Sequence, residues 1–166
     1  MQFKKLDVVW DESYKQLEYT NESFNNQQDI KRWSLLGYSP KFTGDMCDMR
    51  KYQPSWNGKI IKQFEDIGWS DVCTSYYRMS TGTVLPVHVD TYKRYLELFN
   101  VQDIKSLRRA LVFLEDWQSG HYLEVDGVPI VNWLKGDCYI WYNDTPHMAA
   151  NLGLDYRYTL QITGHV

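Results

Sequence analysis

His88-Val89-Asp90, then His147, then Arg157-Tyr158-Thr159 are the residues of this chain whose types and order could do chemistry. Two imidazoles and one carboxylate suit a facial triad for non-haem Fe(II), which leaves positions open for a cosubstrate and for oxygen. Arg157 follows the second histidine by ten residues, with the hydroxyl of Thr159 two further on. A guanidinium makes a fork-like, charge-assisted pair with a carboxylate that lysine cannot reproduce, so this pair could anchor a dicarboxylate beside the metal. Zinc accepts the same donors, but two histidines and a carboxylate with open positions in a β fold favour iron. Each residue also has an ordinary reading: a surface pair at His88 and Asp90, a turn cap at His147 after Pro146, a surface cation at Arg157. Their order and their strand context favour the metal site.

Positioning such a set requires strands. After Ser70 the sequence turns to short β-rich runs at 72–79, 84–90, 110–115, 121–125, 137–142 and 156–163, punctuated by Gly82, Gly120, Asp126-Gly127, Gly136 and Gly153. That rhythm predicts a β-sandwich or a barrel-like jelly roll. Side chains two apart share a strand face. His88 and Asp90 should therefore point together, with Leu85, Val87 and Val89 packed behind them. Arg157, Thr159 and Gln161 should share another face, opposite Tyr158, Leu160 and Ile162. Ile60, Ile61, Phe64 and Ile67 recur at helical spacing and Gly68 supplies a stop, which predicts a packing helix between Trp56 and Trp69. Tyr92, Tyr95, Leu96 and Phe99 predict a helical insertion at about 91–106.

At 166 residues, 43% hydrophobic and 16% aromatic, the chain has enough apolar material for one globular domain. Residues 1–70 are expected to form a helical or irregular wrap around a β core at 71–166. The net charge of −3 weighs against a nucleic-acid partner, which would require phosphate neutralisation. Cys47, Cys73 and Cys138 are widely spaced, without a C-x-x-C pair, and read as reduced thiols. With no leader and no apolar run of about 20 residues, the expectation is a cytoplasmic protein with no membrane partner.

Longer segments carry a resemblance. Leu85-Pro86-Val87-His88-Val89-Asp90, Ser119-Gly120-His121-Tyr122-Leu123, Trp133-Leu134-Lys135-Gly136-Asp137, His147 through Asn151, and Arg157-Tyr158-Thr159-Leu160-Gln161 resemble the Fe(II)/2-oxoglutarate-dependent oxygenases. The likeness is to their aspartyl/asparaginyl β-hydroxylase and free-proline hydroxylase branch, and covers about residues 72–163. It implies a mainly β, double-stranded β-helix fold of jelly-roll or cupin-like type. It also implies Fe(II) on His88, Asp90 and His147, 2-oxoglutarate on Arg157 and Thr159, O2 as oxidant, and hydroxylation with release of succinate and CO2. Some members of the branch lack the carboxylate ligand; Asp90 is present here.

Around that centre, Tyr76, Arg78, His121, Tyr139, Trp141 and Gln161 are candidate pocket residues, each with plain packing as its alternative. His165 reads as exposed and idle. Lys93, Arg94, Lys105, Arg108 and Arg109 would give the insertion a cationic face suited to a carboxylate-bearing substrate, a free amino acid or peptide. The alternatives are a cupin-type metalloenzyme that uses no 2-oxoglutarate and a non-catalytic β-sandwich binding module. Oligomeric state is not encoded in any of these features.

Overall fold

The computed structural model describes residues 1–166 except 22, 39–42, 48 and 50, so that part of the expected N-terminal wrap lies outside the described residues. In chain order the elements are β1 (Gln2–Lys5), β2 (Tyr19–Asn21), α1 (Gln27–Leu35), β3 (Asp45–Cys47), α2 (Asn57–Glu65), β4 (Ser70–Met79) and β5 (Thr83–His88). They continue with α3 (Lys93–Phe99), β6 (Leu107–Phe113), β7 (His121–Val125), β8 (Val128–Ile130), β9 (Asp137–Tyr142), β10 (His147–Asn151) and β11 (Arg157–His165). Two antiparallel sheets result, a seven-stranded one in the order β1-β9-β6-β11-β4-β3-β2 and a four-stranded one in the order β5-β10-β7-β8. Their facing surfaces enclose Met79, Leu85, Phe113, Leu123, Val125, Trp141 and Ala149. This is the mainly β, double-stranded β-helix architecture expected of the sequence. Among the described residues no helix is long and apolar enough to cross a membrane.

A second apolar layer covers the other face of the large sheet. Trp10, Tyr14, Trp56, Ile60, Phe64 and Trp69 pack there on Tyr76, Leu160 and Ile162. Ile60 and Phe64 are fully buried, each worth about 1.5–3 kcal/mol. Gly68 ends α2 at φ +89°, while the Trp69 N–H reaches the Phe64 carbonyl and the Gly68 N–H that of Glu65. Those two bonds close the helix in the glycine-dependent manner. The strands at the centre of the large sheet are thus covered on both faces.

Two expectations need correction. The 91–106 insertion is not one helix: α3 stops at Phe99, because Asn100 adopts φ +51°, and a separate 3-10 turn follows at Ile104–Ser106. Residues 85–90 also do not keep a strict two-residue alternation. His147 pairs with His88 but Ala149 pairs with Leu85, so β5 carries one residue more than β10 between these rungs. Pro86, which has no N–H to give the ladder, lies at that bulge. The extra residue reverses the phase. Leu85 and His88 both face inward, while Val87 and Val89, expected behind the site, are 45% and 36% exposed.

Candidate metal and cosubstrate site

The bulge delivers His88 to the mouth of the β-helix, and the loop after β5 brings Asp90 back toward it. His147 opens β10 directly across the ladder from His88. The three side chains form a group that could hold a metal ion, with one ligand atom from each lying within 4.8 Å of the others. His88 Nε2 is 3.7 Å from Asp90 Oδ1, and His147 Nε2 is 3.9 Å from Asp90 Oδ2.

The other ring nitrogens fix which atom is offered. Nδ1 of His88 lies 2.8 Å from the Pro86 carbonyl, and Nδ1 of His147 lies 3.0 Å from that of Thr145. A carbonyl can only accept, so each Nδ1 donates and each Nε2 presents its lone pair to the cluster. Burial pushes both imidazoles down, His147 to about 4, which keeps them neutral at physiological pH. Burial pushes Asp90 up, but Arg109 and then the two imidazoles outweigh it and hold the carboxyl well below the usual range. Two neutral imidazoles and an ionised carboxylate fit a first-row divalent metal. Phe24 and Trp33 meet the His88 ring edge-on at 5.0 and 6.1 Å, so the region before β3 covers this ligand.

Antiparallel registers lay out the inner face of the large sheet row by row. Trp141, Arg109, Thr163 and Cys73 form the row nearest the histidines, with Tyr139, Leu111, Gln161 and Ser75 below it. Phe113, Thr159 and Tyr77 come next, then Arg157 beside Met79. Arg157 therefore lies at the deep end of the interior and is 2% exposed. Its Nη1 approaches the Met79 sulfur at 3.3 Å, and its guanidinium stands 5.7 and 5.5 Å from the Phe113 and Trp133 ring centres. Those two rings are themselves stacked at 3.8 Å. Nε and Nη2 of Arg157 and the hydroxyl of Thr159 have no hydrogen-bond partner among the described residues. Burial, only partly offset by Tyr77, lowers the guanidinium to about 10. Orphaned buried donors around a cation suit a carboxylate.

The corner that leads into β11 is closed by backbone. Gly120, at φ +91°, passes so near Gly153 that a Cβ there would lie 2.3 Å from the Gly153 nitrogen. Asn151 is fully buried beside it and donates to the carbonyls of Met79 and Asp155.

The remaining candidates divide by strand phase. Trp141 packs 5.1 Å from the His147 ring, with its indole nitrogen unpaired among the described residues, while Tyr139 and Gln161 lie one row deeper on the same face. His121 is 4% exposed and stacks on Trp133 at 6.4 Å, which places it at the Arg157 end and away from the histidine pair. Tyr76 and Arg78 face the opposite way. Tyr76 donates to Asn57 in the outer layer, and Arg78 pairs with Asp45 between the rings of Tyr19 and Tyr156. Their place in the interior belongs to Tyr77, whose phenol, pushed up by burial, feels both Arg157 and Asp90. His165 is not idle: its Nδ1 lies 3.1 Å from the Tyr95 hydroxyl and joins β11 to α3. Of the five cations expected on the insertion, Arg109 turns inward instead and binds Asp90.

No protein-family model matches the sequence, and no curated protein matches it as a relative. Among solved structures, a prolyl-4-hydroxylase from Pseudomonas putida superposes with a TM-score of 0.56 at 15% identity, over 83% of this chain and 82% of that one. A cupin protein from Bacteroides fragilis gives 0.41 at 15% identity, over 58% and 68% of the two chains. A Photorhabdus luminescens protein gives 0.40 at 10% identity over 57% of this chain, which spans 62% of that protein's length. At these identities the likeness is one of fold.

Proposed function

We propose that the chain is an Fe(II)- and 2-oxoglutarate-dependent dioxygenase that hydroxylates an unactivated C–H bond of a free amino acid or an amino-acid residue. One observation carries this reading. A single interior holds an imidazole–imidazole–carboxylate cluster at its mouth and, at its deep end, a buried guanidinium with two nitrogens unpaired among the described residues. A metal site alone would account for the first feature and leave the second unexplained, which favours this reading over a cupin metalloenzyme without 2-oxoglutarate. The fold shared with a prolyl-4-hydroxylase is consistent with it.

His88, Asp90 and His147 would hold Fe(II), with Arg157 and Thr159 gripping the distal carboxylate of 2-oxoglutarate. The bound metal, 2-oxoglutarate and O2 would supply oxidative decarboxylation to succinate and CO2 coupled to hydroxylation. The protein's part is placement. The Nδ1 bonds to Pro86 and Thr145 fix the imidazoles, and Trp141 and Tyr139 narrow the interior against water. Exposed Lys93 and Arg94 at the start of α3 offer cationic contacts to a carboxylate-bearing substrate near the mouth.

The test is anaerobic titration with Fe(II) and 2-oxoglutarate, which should give a weak visible absorption band, followed by a succinate-release screen over amino acids, short peptides and nucleotides. His88→Ala, Asp90→Ala and His147→Ala should fold yet lose both signals, Asp90→Ala least completely. Full turnover in His147→Ala would refute the triad. Stimulation by nucleotides alone would refute the substrate class.

A further inference from the structure

The strongest polar contact in the site is one that metal ligation does not call for. Arg109, on β6, donates to Asp90 Oδ2 from Nε at 3.0 Å and lies within 2.8 Å of the same oxygen through Nη2. Its Nη1 donates to the Thr163 hydroxyl on β11 at 2.7 Å. The face of its guanidinium lies 5.1 Å from the centre of the Tyr92 ring. Tyr92 takes φ +52°, a left-handed conformation that is strained for an aromatic residue and persists only where surrounding contacts enforce it. Two residues of the loop after β5 and one of β11 thus hold one guanidinium in place, and the guanidinium occupies one oxygen of the carboxylate. The other oxygen, Oδ1, lies toward His88.

The charge balance follows. With each Nδ1 donating to a carbonyl, each imidazole offers an Nε2 lone pair and brings no charge as a ligand, and the Asp90 carboxylate is met by the Arg109 guanidinium. Asp29, the next carboxylate that His88 feels, is itself paired with Arg32 at 2.9 Å. A divalent cation entering this cluster finds three donors and no net negative charge. A fixed guanidinium also stands one carboxylate away, and it repels the cation more strongly than it would in water.

We propose that Arg109 is a positioning residue that presents one oxygen of Asp90 to the metal and cancels the carboxylate's charge, so that the site holds a divalent cation weakly until an anionic cosubstrate joins it. The proposal rests on the metal reading above. Metal and dianion then promote each other's binding by the same factor, since coupling between two sites is reciprocal. Arg109 sets the size of that factor. Neither partner is then retained well without the other.

Mn(II) binding, read from the electron paramagnetic resonance signal of the free ion, tests this without turnover. For the unaltered protein, 2-oxoglutarate should tighten Mn(II) binding at least tenfold. Arg109→Met should bind Mn(II) alone at least tenfold more tightly than the unaltered protein, with a correspondingly smaller gain from 2-oxoglutarate. Arg109→Lys keeps the charge and should stay weak. A merely structural role would weaken Mn(II) binding in both variants. If the Met variant does not fold, Arg109→Gln, which can still reach Thr163, provides the neutral side chain. Affinity in the neutral variant no higher than in the unaltered protein would overturn the proposal. So would Mn(II) affinity of the unaltered protein that is indifferent to 2-oxoglutarate. An unaltered protein that binds no Mn(II) under either condition overturns the metal reading itself, a separate result.

Discussion

Arg109 and Arg157 lie on the same face of the same sheet, in the first and the last of its inward rows, and they differ in what meets their charge. Arg109 has a carboxylate and a hydroxyl, and Asp90 more than offsets its burial, so its proton is held more firmly than in water. Arg157 has a thioether and two aromatic faces, and its proton is held less firmly. The contrast separates two uses of a buried cation. One is neutralised within the chain and shapes its neighbour. The other keeps its hydrogen-bonding capacity for something that is not part of the chain.

Stability should break the symmetry between them most sharply. Arg109→Met leaves Asp90 buried and unpaired, and is expected to cost about 3–5 kcal/mol in urea denaturation of the metal-free protein. Arg157→Met removes an unpaired buried cation and should stabilise by about 1–3 kcal/mol. Equal losses in both variants would end the distinction.

His147 sharpens the comparison, because it is a buried group that can shed its charge. Its folded value of about 4 lies below the ordinary 6.5, so between those limits the unfolded chain binds more protons. Stability of the metal-free protein is therefore full above pH 6.5 and lost as the pH falls toward 4, by roughly 3 kcal/mol at the conversion of 1.36 per unit. Asp90 is held below its ordinary value and contributes only at lower pH. Burial lowers His88 and His121 as well, so they share this window. His147→Gln should reduce the slope there, and a slope unchanged in the variant would remove His147 as a contributor.

The smallest effects concern the cosubstrate. Arg157→Gln should raise KM for 2-oxoglutarate about 100-fold, or roughly 2.7 kcal/mol, with Mn(II) affinity nearly unchanged. Thr159→Val should raise it only about fivefold, near 1 kcal/mol, as for one neutral hydrogen bond. An unchanged KM in Arg157→Gln would exclude it as the anchor.

The sequence made the fold class and the convergence of His88, Asp90 and His147 legible, because turn residues and hydrophobic runs record strands directly. Which face each residue takes was harder to read. Strand β4 is covered on both sides, so Tyr76, Tyr77, Arg78 and Met79 show no alternation to indicate which face is inner, and the choice of Tyr76 and Arg78 missed by one residue. Arg109 lay one residue outside the expected strand at 110–115, yet continuing the period from Phe113 through Leu111 would have turned it inward. Helix α1 was hidden because its start is a run of Asn and Gln. Asn26 caps it through its side chain, and only Trp33 is fully buried along it.

The bulge at Pro86 makes the site sensitive to counting. Substitution at position 87, whose side chain is 45% exposed, leaves the phase of β5 intact whatever residue stands there. Ordinary alternation over the same residues, without the bulge, would carry His88 to the opposite face, with every ligand still present in the sequence. In this strand the bulge, and no single side chain between Leu85 and His88, sets which way the ligand points, so a change that straightens the ladder at constant length is the one the site can least absorb.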